Sequence, residues 1–166
     1  MKKKFAIIGS PVSHSLSPIM HNYWFKKYNI DAEYDPLDID KSEIQNVIDK
    51  IKNKEIKGIN VTLPYKKSVI SFLSKTINDA NETHSVNTVM LDDKNNLIGE
   101  NTDVFGFQAA YLKSIPNQEK KNKKVLVLGA GGVAPSIILA LFKSKMHNIT
   151  LSNRTYEKSL FLKKNI

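Results

Sequence analysis

Val125-Leu126-Val127-Leu128-Gly129-Ala130-Gly131-Gly132-Val133-Ala134 is the stretch from which the architecture can be read. Four consecutive apolar residues predict a strand, the glycines a tight turn, and the apolar run from about 133 to 144 a helix. The turn fits G-x-G-x-x-A in the strand–loop–helix context that a dinucleotide pyrophosphate requires. Gly129 permits the sharp turn, Gly131 lets backbone approach a phosphate, and Ala134 allows close helix–strand packing. A helix N-terminus adds partial positive charge, and Pro135 in the first turn costs no hydrogen bond. The alternative reading of this loop alone is a glycine-rich turn with no ligand. A second strand at 149–153 completes one βαβ unit. It ends in Ser152-Asn153-Arg154-Thr155, where an NAD site would carry an acid for the ribose hydroxyls. A cation there, with Lys158 four residues on, suits a 2′-phosphate and favours NADP.

Working back toward the N-terminus, strand-like and helix-like stretches alternate, which predicts an α/β fold. Phe5–Ile8 reads as a strand ending at Gly9, and a helix starts near Ser17-Pro18. Ala32–Ile39 reads as a second strand. Asp40 and Glu43 have the spacing of a capping box before a helix whose apolar face is Ile44, Val47, Ile48 and Ile51. Residues 58–62 form a third strand, 66–84 are weakly helical, and strands at 86–91 and 97–102 flank the turn Asp92-Asp93-Lys94-Asn95-Asn96. A hairpin pairing 91 with 97 sets Asn87 opposite Asn101. A helix is expected over 103–114. The lysine- and asparagine-rich stretch 115–124 then reads as a linker between domains at 1–114 and 115–166.

Composition narrows the function classes. The chain of 166 residues has 41% hydrophobic and 25% charged residues, as a soluble globular protein does. No apolar run reaches the roughly 18–20 residues that span a bilayer, and the short run after the basic N-terminus is too brief for a signal peptide. These features predict a cytoplasmic protein. The absence of cysteine excludes disulfides, thiolate nucleophiles and Cys-based zinc sites, and no metal site is expected. The net charge of +9 raises nucleic acid as a partner, but all 25 basic residues except Arg154 are lysine. Base readout and bidentate phosphate contacts favour arginine, so the excess reads as solvated surface and no nucleic-acid partner is expected.

Four polar clusters before the linker are not explained by core packing. They are Ser13-His14-Ser15-Leu16-Ser17-Pro18, Asn60-Val61-Thr62-Leu63-Pro64-Tyr65-Lys66, Val86-Asn87-Thr88 and Asn101-Thr102-Asp103. Each falls where a strand ends or a helix begins, the usual place for ligand groups in α/β proteins. Hydroxyls, amides, one lysine and one aspartate suit a small polyhydroxylated acid. Each cluster also has a plainer alternative as a helix cap or strand end.

Taken in order, G-x-P-x-x-H-S-x-S-P-x-x-H-N at Gly9–Asn22, then N-V-T-x-P-x-K, V-N-T, G-x-N-T-D-x-x-G-F, G-A-G-G and N-R-T resemble the shikimate dehydrogenase family over nearly the whole chain. The resemblance implies an α/β substrate-binding domain with a mostly parallel sheet, followed by the first βαβ part of a Rossmann domain. It implies reversible NADP-dependent reduction of 3-dehydroshikimate to shikimate, a step toward chorismate and the aromatic amino acids. By position, Ser15 and Ser17 match residues that hold the substrate carboxylate, and Thr62, Asn87 and Asp103 match those contacting ring hydroxyls. Lys66 matches the catalytic lysine, with Asp103 as its acid–base partner. Gly129, Ala130, Gly131, Gly132 and Val133 match the pyrophosphate loop. Asn153, Arg154, Thr155 and Lys158 match the adenosine-phosphate site.

Two departures stand out. His84-Ser85 replace the Gly-Ala usual before V-N-T. The chain also stops soon after the second strand of the cofactor domain, roughly 100 residues short of a typical one. A fragment with exposed strand edges is therefore expected to be weakly active or inactive and labile or prone to associate. The remaining alternatives are a quinate/shikimate dehydrogenase using NAD and a non-catalytic shikimate-binding remnant. The resemblance leaves a homodimer open.

Overall fold

Ile44, Val47, Ile48 and Ile51 fall on one face of a helix, and a helix forms there because burying that face removes four branched side chains from water. In the computed structural model, which describes residues 2–165, helix α2 spans Ile44–Lys52 and all four are buried. A single 3₁₀ turn at Lys41–Glu43 leads into it. The Asp40 N–H donates to the Glu43 carboxylate at 2.7 Å, as the capping-box spacing predicts.

The chain forms two compact units. One comprises Met1–Ile77 and Val86–Glu100, the other Asn78–Ser85 and Asn101–Ile166. The chain therefore passes from one unit to the other after residues 77, 85 and 100. Residues 78–85 and 101–114 group with the second unit rather than with the sheet that precedes them.

The first unit is built on a sheet of strands β1 (Lys3–Gly9), β2 (Ala32–Asp38), β3 (Gly58–Val61), β4 (Lys75–Thr76), β5 (Thr88–Leu91) and β6 (Leu97–Glu100), in the order β2-β1-β3-β5-β6-β4. The β1–β2, β1–β3 and β4–β6 pairs are parallel, while β3–β5 and β5–β6 are antiparallel. Helix α1 (Ser17–Lys27) packs beside β1 and β2, with Pro18 in its first turn. The β5–β6 hairpin runs from Leu91↔Leu97 to Thr88↔Glu100, the register expected from sequence. Its turn is held by Asp92, whose carboxylate accepts from the N–H groups of Lys94 at 2.9 Å and Asn96 at 2.8 Å. Those bonds, led by that from the Asn96 backbone and joined by Lys75, hold the Asp92 carboxyl down at about 2.

The segment 66–84, expected to be weakly helical, is more varied. It holds a 3₁₀ turn at Ser68–Phe72, the two-residue edge strand β4, and helix α3 (Asp79–Thr83). In the second unit, α4 (Asp103–Ala110) is followed after Tyr111 by a 3₁₀ turn at Leu112–Ser114. One turn of helix, α5 (Asn117–Lys120), lies within the lysine-rich stretch. Strands β7 (Val125–Leu128) and β8 (Ile149–Ser152) pair in parallel, with α6 (Ala134–Lys143) between them and α7 (Tyr156–Asn165) after. The core of this unit joins Val104 and Leu112 to Leu139, Ala140, Leu141 and Met146. Lys143 on α6 pairs with Asp79 and Glu82 of α3. Among the described residues, no helix is long and apolar enough to cross a membrane.

His21 on α1 lies flat on Tyr34, ring centroids 4.4 Å apart, and close to Trp24 and Phe25. Burial lowers its pKa below the ordinary 6.5. Between the lowered value and 6.5 the unfolded chain binds the proton more readily, so stability is lost as pH falls through that window. Urea denaturation at pH 5 and pH 7.5 is expected to show this loss, and His21→Phe is expected to reduce it. An unchanged pH dependence in the variant would assign the loss to other groups.

Candidate functional site

In the first unit the polar clusters gather where β1 and β3 end and β5 begins. The loops leaving β1 and β3 are tied together, with Thr62 N–H donating to the Ile8 carbonyl at 2.9 Å and Ser10 N–H to the Leu63 carbonyl at 3.1 Å. Gly9 makes this approach possible. A Cβ at that position would lie 2.6 Å from Thr62 Cγ2 and 3.0 Å from the Leu63 carbonyl oxygen. Thr62 follows β3 directly, and Lys66 lies one turn later. The Lys66 carbonyl accepts from Val86 N–H at 2.8 Å, and the Asn87 carbonyl accepts from Val61 N–H at 2.8 Å. The backbone thus draws Thr62, Lys66 and Asn87 to one end of the sheet. Ser15 and Ser17 stand at the start of α1, the Ser15 hydroxyl accepting from Ser17 N–H at 3.2 Å.

Behind these residues lies a layer that joins Asn60 and Thr88, members of the polar clusters, to Tyr34, which the sequence did not mark. The Tyr34 hydroxyl donates to Asn60 Oδ1 at 2.7 Å, and burial pushes the Tyr34 phenol above its ordinary pKa. Asn60 Nδ2 donates to the Asn87 carbonyl and to the Thr88 hydroxyl, each at 3.2 Å. That hydroxyl in turn lies 3.0 Å from Asn87 Oδ1. The buried Asn87 amide is therefore oriented from behind. Its neighbours Asn60 and Thr88 were legible as polar residues on buried strands, which is a signal for such a network.

In the second unit the centre is Asn101, only 2% exposed. Its Nδ2 lies within bonding distance of Thr83 Oγ1 (3.0 Å), the Ser85 carbonyl (2.8 Å) and Ser136 Oγ (2.9 Å). Its Oδ1 accepts from the N–H of Asp103 at 3.0 Å. One amide thus links the first residue of α4, the residues 83–85 and the first turn of α6. The Ser85 hydroxyl also reaches the Gly132 carbonyl at 3.4 Å. Here the departure at 84–85 acquires a structural meaning. His84 adopts a left-handed conformation, φ 46° and ψ 40°, a region open to glycine without cost, and Ser85 supplies a hydroxyl that alanine lacks.

The glycine loop fits a dinucleotide. Gly129 has φ 101°, a conformation that side chains resist, and nothing stands within 4 Å of where a Cβ would be at Gly129 or Gly131. Helix α6 follows with no acidic residue in its first turn. Asn153, expected among cofactor contacts, uses its side chain to hold the loop. Its Oδ1 accepts from Ala130 N–H at 3.0 Å, and its Nδ2 donates to the Thr155 carbonyl at 2.7 Å. Val133, Arg154, Thr155 and Lys158 are exposed. An open backbone cradle, cations after β8 and no acid at its end are the chemistry a phosphorylated dinucleotide needs. Of the remaining expected site residues, Ser15, Ser17, Thr62, Lys66 and Asn87 belong to the first unit, and Asp103 to the second. Among the described residues, no group of His, Asp and Glu is arranged to hold a metal ion.

Residues 7–89 match the model of the shikimate dehydrogenase substrate binding domain, and residues 112–166 match that of shikimate / quinate 5-dehydrogenase. The chain belongs to the shikimate dehydrogenase family. An NADP(+) shikimate dehydrogenase of Pelagibacter ubique is 49% identical over 164 residues, covering 99% of this chain and 61% of that protein. The crystal structure of shikimate dehydrogenase from Aquifex aeolicus superposes with a TM-score of 0.90 at 36% identity, covering 99% of this chain and 60% of that one. The Thermus thermophilus shikimate 5-dehydrogenase, solved in complex with shikimate, gives 0.87 at 30% identity, covering 98% and 61%. The chain thus spans about three-fifths of the length of these family members.

Replacing Asn101 leaves several buried groups without partners, at about 1–3 kcal/mol for each one left unsatisfied. Asn101→Ala is accordingly expected to lower stability by ~2–4 kcal/mol in urea denaturation, and Asn101→Asp, which removes the donors, by a comparable amount. A change within ~0.5 kcal/mol, the range of ordinary surface substitutions, would show that the network contributes little.

Proposed function

We propose that this chain provides the shikimate-binding and NADP-binding elements of an NADP-dependent shikimate dehydrogenase, which reversibly reduces 3-dehydroshikimate to shikimate. The observation that carries the reading is the gathering of Thr62, Lys66 and Asn87 at one end of a sheet, with Ser15 and Ser17 at the start of the helix that follows β1. It is supported by a glycine loop open to a pyrophosphate and followed by cations. On this reading residues 1–114 serve the substrate and 115–166 the cofactor. The protein is cytoplasmic and assembles as a homodimer.

The Ser15 and Ser17 hydroxyls bind the substrate carboxylate. Thr62, Asn87 and Asp103 bind ring hydroxyls and orient the carbonyl, which places the reacting carbon before chemistry begins. The bound dinucleotide supplies the hydride in the reducing direction. The Lys66 ammonium donates a proton to the oxygen that becomes an alkoxide and stabilises its developing charge. Asp103 orients Lys66 and balances the charge. In the reverse direction Lys66 takes the proton back. Gly129–Val133 form the pyrophosphate loop, with Gly131, Gly132 and Val133 offering backbone N–H groups while Gly129 and Ala130 donate theirs to Ser152 and Asn153; Asn153, Arg154, Thr155 and Lys158 serve the adenosine 2′-phosphate.

Calorimetric titration with shikimate tests the substrate half. Saturable binding is expected, weakened by about tenfold or more in Ser15→Ala and Ser17→Ala, the loss of one hydrogen bond to a charged group. Absence of binding at millimolar shikimate, or binding indifferent to both serines, would refute it. For the cofactor half, Arg154→Ala is expected to weaken NADP by roughly tenfold while leaving NAD nearly unchanged. Equal affinity of the parent chain for NAD and NADP would instead favour the NAD-using quinate/shikimate alternative.

A further inference from the structure

The side chains of Tyr34, Asn60, Thr88 and Asn87 form a run of hydrogen bonds whose direction is set by one atom, the main-chain carbonyl oxygen of Asn87. A carbonyl oxygen only accepts, so the Asn60 side-chain atom 3.2 Å from it is Nδ2. The other end of that amide, Oδ1, then faces the Tyr34 hydroxyl at 2.7 Å, and the hydroxyl donates. A second hydrogen of Asn60 Nδ2 goes to Thr88 Oγ1 at 3.2 Å. With an N–H already aimed at its oxygen, Thr88 turns its own hydrogen to the Asn87 side chain at 3.0 Å, and the atom that receives it is Oδ1. Reversing the Asn60 amide would set oxygen against oxygen at the Asn87 carbonyl. Reversing the Asn87 amide would set hydrogen against hydrogen at Thr88.

The surroundings hold this polarity in place. Tyr34 is 3% exposed and lies against the His21 ring, and burial pushes its phenol above the ordinary value, so it stays a donor. Mismatched partners cost more in such a buried network than in water. The backbone of Asn87 is also fixed, its N–H donating to the Glu100 carbonyl at 3.0 Å and its carbonyl accepting from Val61 N–H at 2.8 Å. What remains to be chosen is the direction of the side-chain amide, and the Thr88 hydroxyl chooses it.

We propose that Thr88 is a positioning residue that holds the Asn87 amide with its N–H donors toward the ring oxygens of the ligand, and so lets the site take the ketone as well as the alcohol. The inference rests on the assignment of Asn87 to those oxygens made above. A hydroxyl both donates and accepts, so either end of an amide suits it. A ketone oxygen only accepts, and so does the alkoxide that it becomes. An amide presenting Oδ1 would therefore bind the alcohol and repel the ketone. One held to donate binds both, and its dipole favours the negative charge that develops on the oxygen. Setting the amide before the ligand arrives also spares the site a conformational choice on binding.

A network serving only to satisfy the buried end of β5 would affect stability and treat the two ligands alike. Calorimetric titration of the 166-residue chain with 3-dehydroshikimate and, separately, with shikimate tells the two roles apart. Thr88→Val is expected to weaken 3-dehydroshikimate by about tenfold or more and shikimate by no more than about threefold. Thr88→Ser, which keeps the hydroxyl, is expected to restore the ketone. Asn60→Ala lets the Thr88 hydroxyl turn and is expected to give the same ketone-selective loss, so the test stands if Thr88→Val does not fold. Far-UV circular dichroism and urea midpoints identify the folded variants. Unchanged affinities in a folded variant, an equal loss for both ligands, or a Thr88→Ser chain as impaired as Thr88→Val would overturn the inference. A parent chain that binds neither ligand fails the enzymatic reading and this inference with it. A parent that binds both, with a loss in Ser15→Ala but no ketone-selective loss in Thr88→Val, leaves that reading standing and overturns this inference alone.

Discussion

A buried amide is costly unless its hydrogen-bonding groups are used, and Asn101 uses its donors and its acceptor. Its place between Asp103, residues 83–85 and Ser136 means that the start of α4 and the start of α6 are fixed by the same side chain. A proposed substrate residue and the helix that follows the glycine loop consequently share one support. The Ser85 hydroxyl brings the Gly132 carbonyl toward this group, and on the far side of the loop Asn153 holds Ala130. The loop is thus steadied by side chains at both ends while Gly129 and Gly131 remain open. The first unit follows the same plan, with Tyr34, Asn60 and Thr88 setting Asn87 from behind.

What could be read from sequence was what local periodicity and spacing encode. The apolar stripe of α2, the capping box at Asp40, the hairpin register and the strand–loop–helix at 125–143 all lie within short windows. The structure shows each of them in place. Elements that depend on distant partners were less legible. Strand β4 is two residues long and exists through pairing with β6, so Lys75-Thr76 carries no alternation to detect. The helix expected over 103–114 gives way at Tyr111 to a 3₁₀ turn that buries Leu112 against the α6 core, a tertiary contact rather than a propensity. The linker stretch likewise contains one turn of helix that its composition did not announce.

The site shows the same division. Its residue types were legible because polar side chains stood at strand ends without a packing reason. Their supports were not legible, since hydrogen bonds from Asn60 to Thr88 or from Ala130 to Asn153 join residues far apart in sequence. Asn153 illustrates the limit. Its position after β8 suggests a ligand contact, while the bond it accepts from Ala130, 23 residues away, follows from the β7–β8 pairing and is not written in the local sequence. Ser85 illustrates the converse, where a departure from the usual residue becomes intelligible only beside the Gly132 carbonyl.

The three passages of the chain between units bear on the order of events during synthesis. Residues 78–85 leave the ribosome early, yet the side chains that complete their network, Asn101 and Ser136, are made later, with the β5–β6 hairpin intervening. The first unit has all its strands once residue 100 is available. The nascent segment around Thr83 must meanwhile satisfy its polar groups with water or a chaperone. A chain ending between residues 101 and 136 would hold every strand of the first sheet but lack Ser136, leaving the polar network around Asn101 incomplete.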